Sequence, residues 1–265
     1  MKLACIGSGK MGTALLKGIV THGLCAAADI TISDPSPDAL AAAIAAVPGL
    51  QVAAGNADAA RGADAILLCV KPAGIVSLIE SLRPLPPALF ISIAAGITLG
   101  RMEEVAGHHR VVRVMPNTPA LIGQGAAAFS PGATATEADC ALTAQLLGAV
   151  GTVTRVAEKL LDAVTGLSGS GPAYIYTIIE ALADGGVLEG LGRDQALQLA
   201  AQTVAGAAGM VLQTGLHPAI LRDQVTSPGG TTIAALATLE AKGLRSALIE
   251  AVRTATRRAQ EMGKS

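Results

Sequence analysis

The chain has 265 residues, 51% hydrophobic and 15% charged, with a formal net charge of −1, a length that allows one large or two modest domains. Near-neutral charge, two Phe, two Tyr and no Trp leave neither the basic surface nor the stacking platforms that a nucleic-acid partner needs. The most apolar windows, Ala65 to Ile79 and Pro86 to Gly100, are interrupted by Lys71 and Pro72 or too short for the roughly 20 apolar residues of a spanning helix, so no membrane partner and a cytoplasmic location are expected.

From Met1 to about Arg155, short apolar runs alternate with helical patterns, as in βαβ units around a largely parallel sheet. A strand over Lys2–Gly7 leads through Gly7-x-Gly9-x-x-Gly12 into a helix that begins near Lys10 and carries Leu15, Leu16 and Ile19. That is the context a dinucleotide-binding fingerprint requires. Gly7 permits the tight turn, Gly9 the approach of a pyrophosphate to the backbone, and Gly12 the close packing of helix on strand. Amides from Ser8 through Lys10 to Met11 would meet the phosphate charge.

The second strand, Ile30–Ser33, delivers Asp34 about 20 residues after Gly12, where a carboxylate binds ribose hydroxyls and repels a 2′-phosphate. Asp34 reads equally well as a turn former ahead of Pro35. Ser33, Ser36 and Asn56 could bind such a phosphate, so NADPH and NADH both stay open. Further strands are expected at Val52–Ala53, Ala65–Val70, Leu89–Ile93, Val111–Met115, Ala126–Phe129 and Thr152–Val156. Helices should start near Pro37, Asn56, Gly74, Thr98 and Thr136. Lys71, between Val70 and Pro72, is either a solvated strand end or a reach toward a ribose hydroxyl. Ala94, Ala95 and Gly96 offer little side chain and leave room for a flat ring. Asn117 either bonds Lys71 or a carboxamide, or caps a proline-bounded turn.

Beyond Ala157 the pattern is helical: Glu158–Thr165, Ala173–Glu189, Arg193–Thr214, Pro218–Val225, Thr231–Leu239 and Gly243–Met262. The expected fold is therefore a Rossmann-type doubly wound α/β domain over residues 1–156 and an all-α domain over residues 157–265. A helical layer this apolar, too small to enclose its own helices, suggests two interdigitating chains. Within it, Ser227-Pro228-Gly229-Gly230-Thr231-Thr232 can aim several N–H groups at one anion and reads as a carboxylate cradle, or else as an ordinary helix start. Cys5, Cys25, Cys69 and Cys140 show no ligand spacing, and no metal is expected.

The ordered set Gly7-Ser8-Gly9-Lys10-Met11-Gly12, Val70-Lys71-Pro72, Ala94-Ala95-Gly96-Ile97-Thr98, Met115-Pro116-Asn117-Thr118-Pro119, Gly166-Leu167-Ser168-Gly169-Ser170-Gly171-Pro172-Ala173-Tyr174, Ala183-Asp184-Gly185-Gly186 and Ser227 to Thr232 resembles the pyrroline-5-carboxylate reductase family over nearly the whole chain. The resemblance implies an NAD(P)H-dependent reduction of 1-pyrroline-5-carboxylate to L-proline by hydride transfer to a cyclic imine. It implies NADPH as the commoner cofactor, with NADH an alternative, and a homodimer that in relatives often assembles into rings of dimers. It places Val70, Lys71 and Pro72 beside the nicotinamide, Glu158 near the cofactor amide, Gln224 beside the proline site, and Thr231 and Thr232 on the substrate.

On that basis the Ser227 hydroxyl and the amides of Gly229, Gly230 and Thr231 would hold the substrate carboxylate. Thr232 would face the imine nitrogen as donor or relay, its rival role being local support of a helix start. Lys10 and Gly215 depart from the family pattern, and no role is carried onto Gly215. Two other readings are a Rossmann-plus-helices hydroxy-acid dehydrogenase and a non-catalytic NADPH sensor. The dehydrogenase should place a lysine on the helix Ala173–Glu189, which has none.

Overall fold

The computed structural model describes residues 1–84 and 86–263. Eight strands form one sheet in the order β3-β2-β1-β4-β5-β6-β7-β8. They are β1 (Leu3–Ile6), β2 (Ile30–Ser33), β3 (Gln51–Val52), β4 (Ala65–Leu68), β5 (Leu89–Ser92), β6 (Val111–Met115), β7 (Gly125–Pro131) and β8 (Gly151–Arg155). The central strands β1, β4 and β5 are buried at every position, as expected of parallel strands covered on both faces.

Strands β1 to β6 run parallel, β7 is antiparallel to β6, and β8 is parallel to β7. The reversal follows from chain length: only nine residues separate Met115 from Gly125, fewer than the dozen or so of a parallel crossover. The helices of this half are α1 (Lys10–Thr21), α2 (Pro37–Ala46), α3 (Asn56–Ala60), α4 (Ile75–Ser81), α5 (Leu99–Ala106) and α6 (Glu137–Gly148). Alternating strand residues feed two apolar cores. One gathers Cys5, Ile32, Leu67, Ile91 and Val114 with Leu15 and Leu16 of α1; the other gathers Ile6, Leu68 and Phe90 with Ile79 of α4 and Met102 of α5. The expected start of α6 is a capping box, Thr136 accepting from the Asp139 amide while Asp139 accepts from the Thr136 amide.

The stretch Glu158–Thr165, expected as one helix, is broken instead. A 3₁₀ turn over Glu158–Leu160 leads into the single turn α7 (Leu161–Val164) and then a π-helical turn over Thr165–Gly169, which closes with Ser170 N–H donating to the Thr165 carbonyl at 2.8 Å. Gly166 and Gly169 weaken an α-helix here. Asn117 Nδ2 also draws off the Ser168 carbonyl at 3.1 Å, and the Met115 side chain lies where a Cβ on Gly169 would stand, at 2.5 Å.

The chain forms two compact units, residues 1–170 with 253–265, and residues 171–252. The second is helical throughout, with α8 (Gly171–Leu188), α9 (Arg193–Thr214), α10 (Pro218–Gln224), α11 (Thr231–Ala241) and the first half of α12 (Leu244–Met262). Its core is Ala183, Ala196 and Ala200 with Ile179 and Val187. At Gly186 an added Cβ would stand 3.2 Å from the Ala196 side chain, so α8 and α9 meet through small residues. Large apolar side chains stay outside: Leu188 is 86% exposed, Leu212 75% and Val225 67%. Among the described residues no single helix is long and apolar enough to cross a membrane.

Candidate active site

The glycine loop has the form the fingerprint predicts. Gly7 sits at φ +97°, and a Cβ there would approach the Cys69 carbonyl oxygen to 2.6 Å; a Cβ on Gly12 would strike the Gly7 carbonyl. These two positions admit only glycine. A Cβ on Gly9 would meet nothing, so that residue borders open space. Helix α1 begins at Lys10 with Gly9 as N-cap, without a side-chain cap and without an acid in its first turn. Its N-terminal N–H groups and dipole therefore remain available to an anion. The Ser8 hydroxyl, fully buried in the loop, has no hydrogen-bond partner among the described residues. An uncapped helix start, an orphaned hydroxyl and a glycine-only cradle fit a dinucleotide pyrophosphate.

Asp34 turns toward this loop. Its Oδ2 accepts the Ser8 N–H at 2.7 Å and its Oδ1 the Ser36 N–H at 2.9 Å. Ser33 donates to Asn56 Oδ1 at 2.8 Å, so the end of β2 and the start of α3 form one polar group of Ser33, Asp34, Ser36 and Asn56. Ser36 itself caps α2 through the Ala39 N–H. Lys71 is exposed, in the extended backbone that Pro72 imposes, and Val70 lies beside Gly7, its amide nitrogen 3.1 Å from a Cβ built there.

At the end of β5, Ala94 is buried and Gly96 takes φ +77°. The loop reaches α5 at Leu99, whose N–H donates to Glu158 Oε1 at 2.6 Å. The same oxygen accepts from Arg113 Nη1 at 3.1 Å, and Arg113 Nη2 reaches Asp162 at 3.4 Å. Arg113 did not stand out in the sequence, although a lone cation within Val-Val-Arg-Val-Met is the signal that could have found it. The Asn117 amide is taken up by the Ala126 N–H at 2.8 Å and the Ser168 carbonyl at 3.1 Å, and so ties β7 to the π-helical turn. No hydrogen bond joins it to Lys71 among the described residues.

The carboxylate cradle belongs to the helical unit. Ser227–Gly230 is a turn closed by Gly230 N–H to the Ser227 carbonyl at 3.1 Å, with Pro228 second and Gly229 third at φ +65°, the type II arrangement. A Cβ on Gly230 would collide with the Ser227 hydroxyl. Helix α11 starts at Thr231 without a side-chain cap or an acid in its first turn, so Thr231 and Thr232 do not spend their hydroxyls on the helix start. Among the described residues neither these hydroxyls nor that of Ser227 has a hydrogen-bond partner. Gln224 is exposed at the end of α10.

The thiols are chemically quiet. Cys5 donates to the Gly7 carbonyl at 3.4 Å, and a hydrogen bond to Cys5 together with burial pushes the Cys69 thiol well above the ordinary range. Burial likewise raises Cys25 and Cys140. Cys25, Cys69 and Cys140 are therefore not poised as thiolate nucleophiles. Among the described residues no cluster of three His, Cys, Asp or Glu side chains could hold a metal ion.

Residues 158–262 match a family model described as pyrroline-5-carboxylate reductase dimerisation, and residues 2–96 one described as NADP oxidoreductase, coenzyme F420-dependent. The chain is 47% identical over 262 residues to the pyrroline-5-carboxylate reductase of Pisum sativum, covering 98% of this chain and 95% of that protein. A pyrroline-5-carboxylate reductase from Coxiella burnetii superposes with a TM-score of 0.94 at 36% identity, over 100% of this chain and 99% of that one. The Plasmodium falciparum pyrroline carboxylate reductase with NADP bound superposes with a TM-score of 0.88 at 32% identity, covering 99% and 98% of the two chains.

Proposed function

The chain belongs to the pyrroline-5-carboxylate reductase family, and from that premise we infer that it reduces 1-pyrroline-5-carboxylate to L-proline with NADPH as reductant. The observation that carries the reading is a pair of open anion sites on separate helix starts. Gly7 to Gly12 open α1 for the dinucleotide phosphates, and Ser227 to Thr232 open α11 for a carboxylate.

When bound, NADPH supplies a hydride to the imine carbon, and the ring nitrogen ends as the amine. Because a protonated cyclic imine is already electrophilic, the chain needs to orient and hold more than to activate. The amides of Gly9 to Gly12, with the Ser8 hydroxyl and Lys10, would hold the pyrophosphate, whereas the Ser8 N–H, expected among these amides, is given to Asp34. Ser33, Ser36 and Asn56 face the adenosine end beside Asp34, and NADH is a second possible reductant. Val70, Lys71, Pro72 and Ala94 to Gly96 shape the nicotinamide side, with Glu158 and Asn117 behind them. The amides of Gly229 and Thr231 and the Ser227 hydroxyl bind the substrate carboxylate, with Gln224 at the rim, whereas the Gly230 N–H, expected to join them, is given to the Ser227 carbonyl and holds the turn in shape. Thr232 holds a hydrogen bond to the ring nitrogen. In this reading residues 1–156 bind the dinucleotide and residues 157–265 the substrate and the partner chain.

The match of residues 158–262 to a dimerisation model supports a dimer, which would give the exposed Leu188, Leu212 and Val225 a surface to cover. Its further assembly into a ring of dimers and a cytoplasmic location are part of the same proposal. Light scattering on the purified protein decides the first, and fractionation of the producing cell the second.

Loss of reduced-nicotinamide absorbance in the presence of 1-pyrroline-5-carboxylate, with proline formed in equal amount, is the expected result. A folded, dimeric protein that binds NADPH yet turns over none of this substrate would overturn the assignment.

A further inference from the structure

We propose that Arg113 is a positioning residue for hydride transfer: its guanidinium locks Glu158 over the start of α5 and so holds the loop Ala94–Thr98 in one conformation. The proposal rests on the reductase reading above, in which that loop borders the nicotinamide.

Strand alternation would place an apolar side chain at 113, between Val111 and Met115 on the same face. Instead the Arg113 side chain is only 6% exposed and carries a charge into the sheet's cover. Its in-register neighbours are Ser92 on β5 and Ser130 on β7, both buried, so a polar row crosses three strands at this level. Ser92 of this row meets the loop directly, and Arg113 reaches its far end through Glu158. Ser92 Oγ accepts the Ala94 N–H at 3.4 Å where the chain leaves β5. Glu158 Oε1 accepts the Leu99 N–H at 2.6 Å where the chain enters α5, and Arg113 fixes that same oxygen from the other side at 3.1 Å. The loop is thus pinned at entry and exit, and Met262 packs against Gly96 between the two pins, 3.7 Å from a Cβ built there.

A part-buried ion pair is a poor stabiliser compared with a well-packed apolar group, whereas its geometry is directional. A planar fork gripping Glu158 and Asp162 sets where Glu158 points. Thr98 already caps α5 through the Arg101 N–H, so the long-range bond to Leu99 adds placement of the loop to a helix start that has its own local cap.

The test uses the full-length dimer carrying Arg113→Lys or Arg113→Met. Lysine keeps the charge but cannot fork, and is the variant expected to keep the fold. The expected result is a kcat lower by about 10-fold to 100-fold, the scale of a small misplacement of reacting groups, with NADPH affinity nearly unchanged. A larger primary isotope effect from NADPH deuterated at the transferred position should accompany it, together with faster amide exchange in the peptide spanning residues 93–99. Unchanged kcat, isotope effect and exchange in Arg113→Lys would overturn the proposal, whatever Arg113→Met does to the melting temperature. Amide exchange is read without substrate. A wild-type protein inactive on 1-pyrroline-5-carboxylate would therefore sink the reductase reading, while exchange at residues 93–99 still decides what Arg113 holds.

Discussion

The Ser8 N–H donates to the Asp34 carboxylate at 2.7 Å, across 26 residues of sequence. The first loop of the sheet and the end of its second strand are therefore one hydrogen-bonded unit, which in the proposed site lies between the dinucleotide's phosphates and adenosine ribose.

Asp34→Ser removes a negative charge that, in the proposed dinucleotide site, would face the 2′-position. One like charge at such range in a solvated site is worth about 1 kcal/mol, or roughly 5-fold in affinity. The KM for NADPH should fall by about that factor, and the KM for NADH should rise as the ribose hydroxyls lose their acceptor. Steady-state kinetics with each cofactor decide it. If both KM values rise together, Asp34 acts only as a clamp on the loop.

Gly230→Val places a branched side chain against the Ser227 hydroxyl and distorts the turn that aims the amides. We expect the KM for 1-pyrroline-5-carboxylate to rise by about 10-fold or more, as charge-assisted hydrogen bonds of about 1.5–3 kcal/mol are lost. NADPH binding, followed by cofactor fluorescence, should survive. Equal loss of both affinities would show that the cradle is not a separate carboxylate site.

Thr232→Ala tests the proposed donor to the ring nitrogen. Helix α11 has no side-chain cap, so losing this hydroxyl should leave the melting temperature close to wild type. A drop in kcat of about 10-fold to 1,000-fold is expected if the hydroxyl serves the reaction, and an unchanged kcat would remove Thr232 from the chemistry.

Stability should decline in alkali, and the sign follows from the thiols. Cys69 is held neutral in the folded chain by its hydrogen bond to Cys5 and by burial, which raises its pKa above the ordinary value near 9. Between the unfolded and folded values the native state binds more protons, so stability is fully present below about pH 9 and falls as pH climbs toward the raised value. Denaturant midpoints measured from pH 7 to about pH 10 should slope downward in the wild type, and less steeply in Cys69→Ala. Parallel slopes would assign the decline to other groups.

Much of the fold can be read from the chain because its signals are local. The strands Ile30–Ser33 and Val111–Met115 and the helix Arg193–Thr214 fall where alternation, turn residues and helical period put them. The glycine fingerprint is equally legible, since Gly7 and Gly12 are dictated by neighbours within the same βα unit and the adjacent strand. Strand direction is not carried by composition, so the reversal of β7 shows only in the short span between Met115 and Gly125. The π-helical turn after α7 is only half legible: Gly166 and Gly169 are local signals, but the bond from Asn117 to the Ser168 carbonyl acts across 51 residues. Glu158 was placed near the cofactor by resemblance, but its partners Leu99 and Arg113 come from elements 59 and 45 residues away, and no periodicity connects them.

The packing of Met262 against Gly96 has a consequence for the order in which the enzyme is built. Made from its amino end, the chain can complete its first βα turn once Cys69 has been made, because Gly7 and Gly12 pack against Cys69 and the Ser8 N–H is held by Asp34. The loop at Gly96 must wait for a helix translated 166 residues later, and for Glu158 in between. A nascent chain stalled before that helix would hold a finished phosphate loop beside an unfinished ring-facing loop, so the ability to bind a nucleotide would precede the ability to use one.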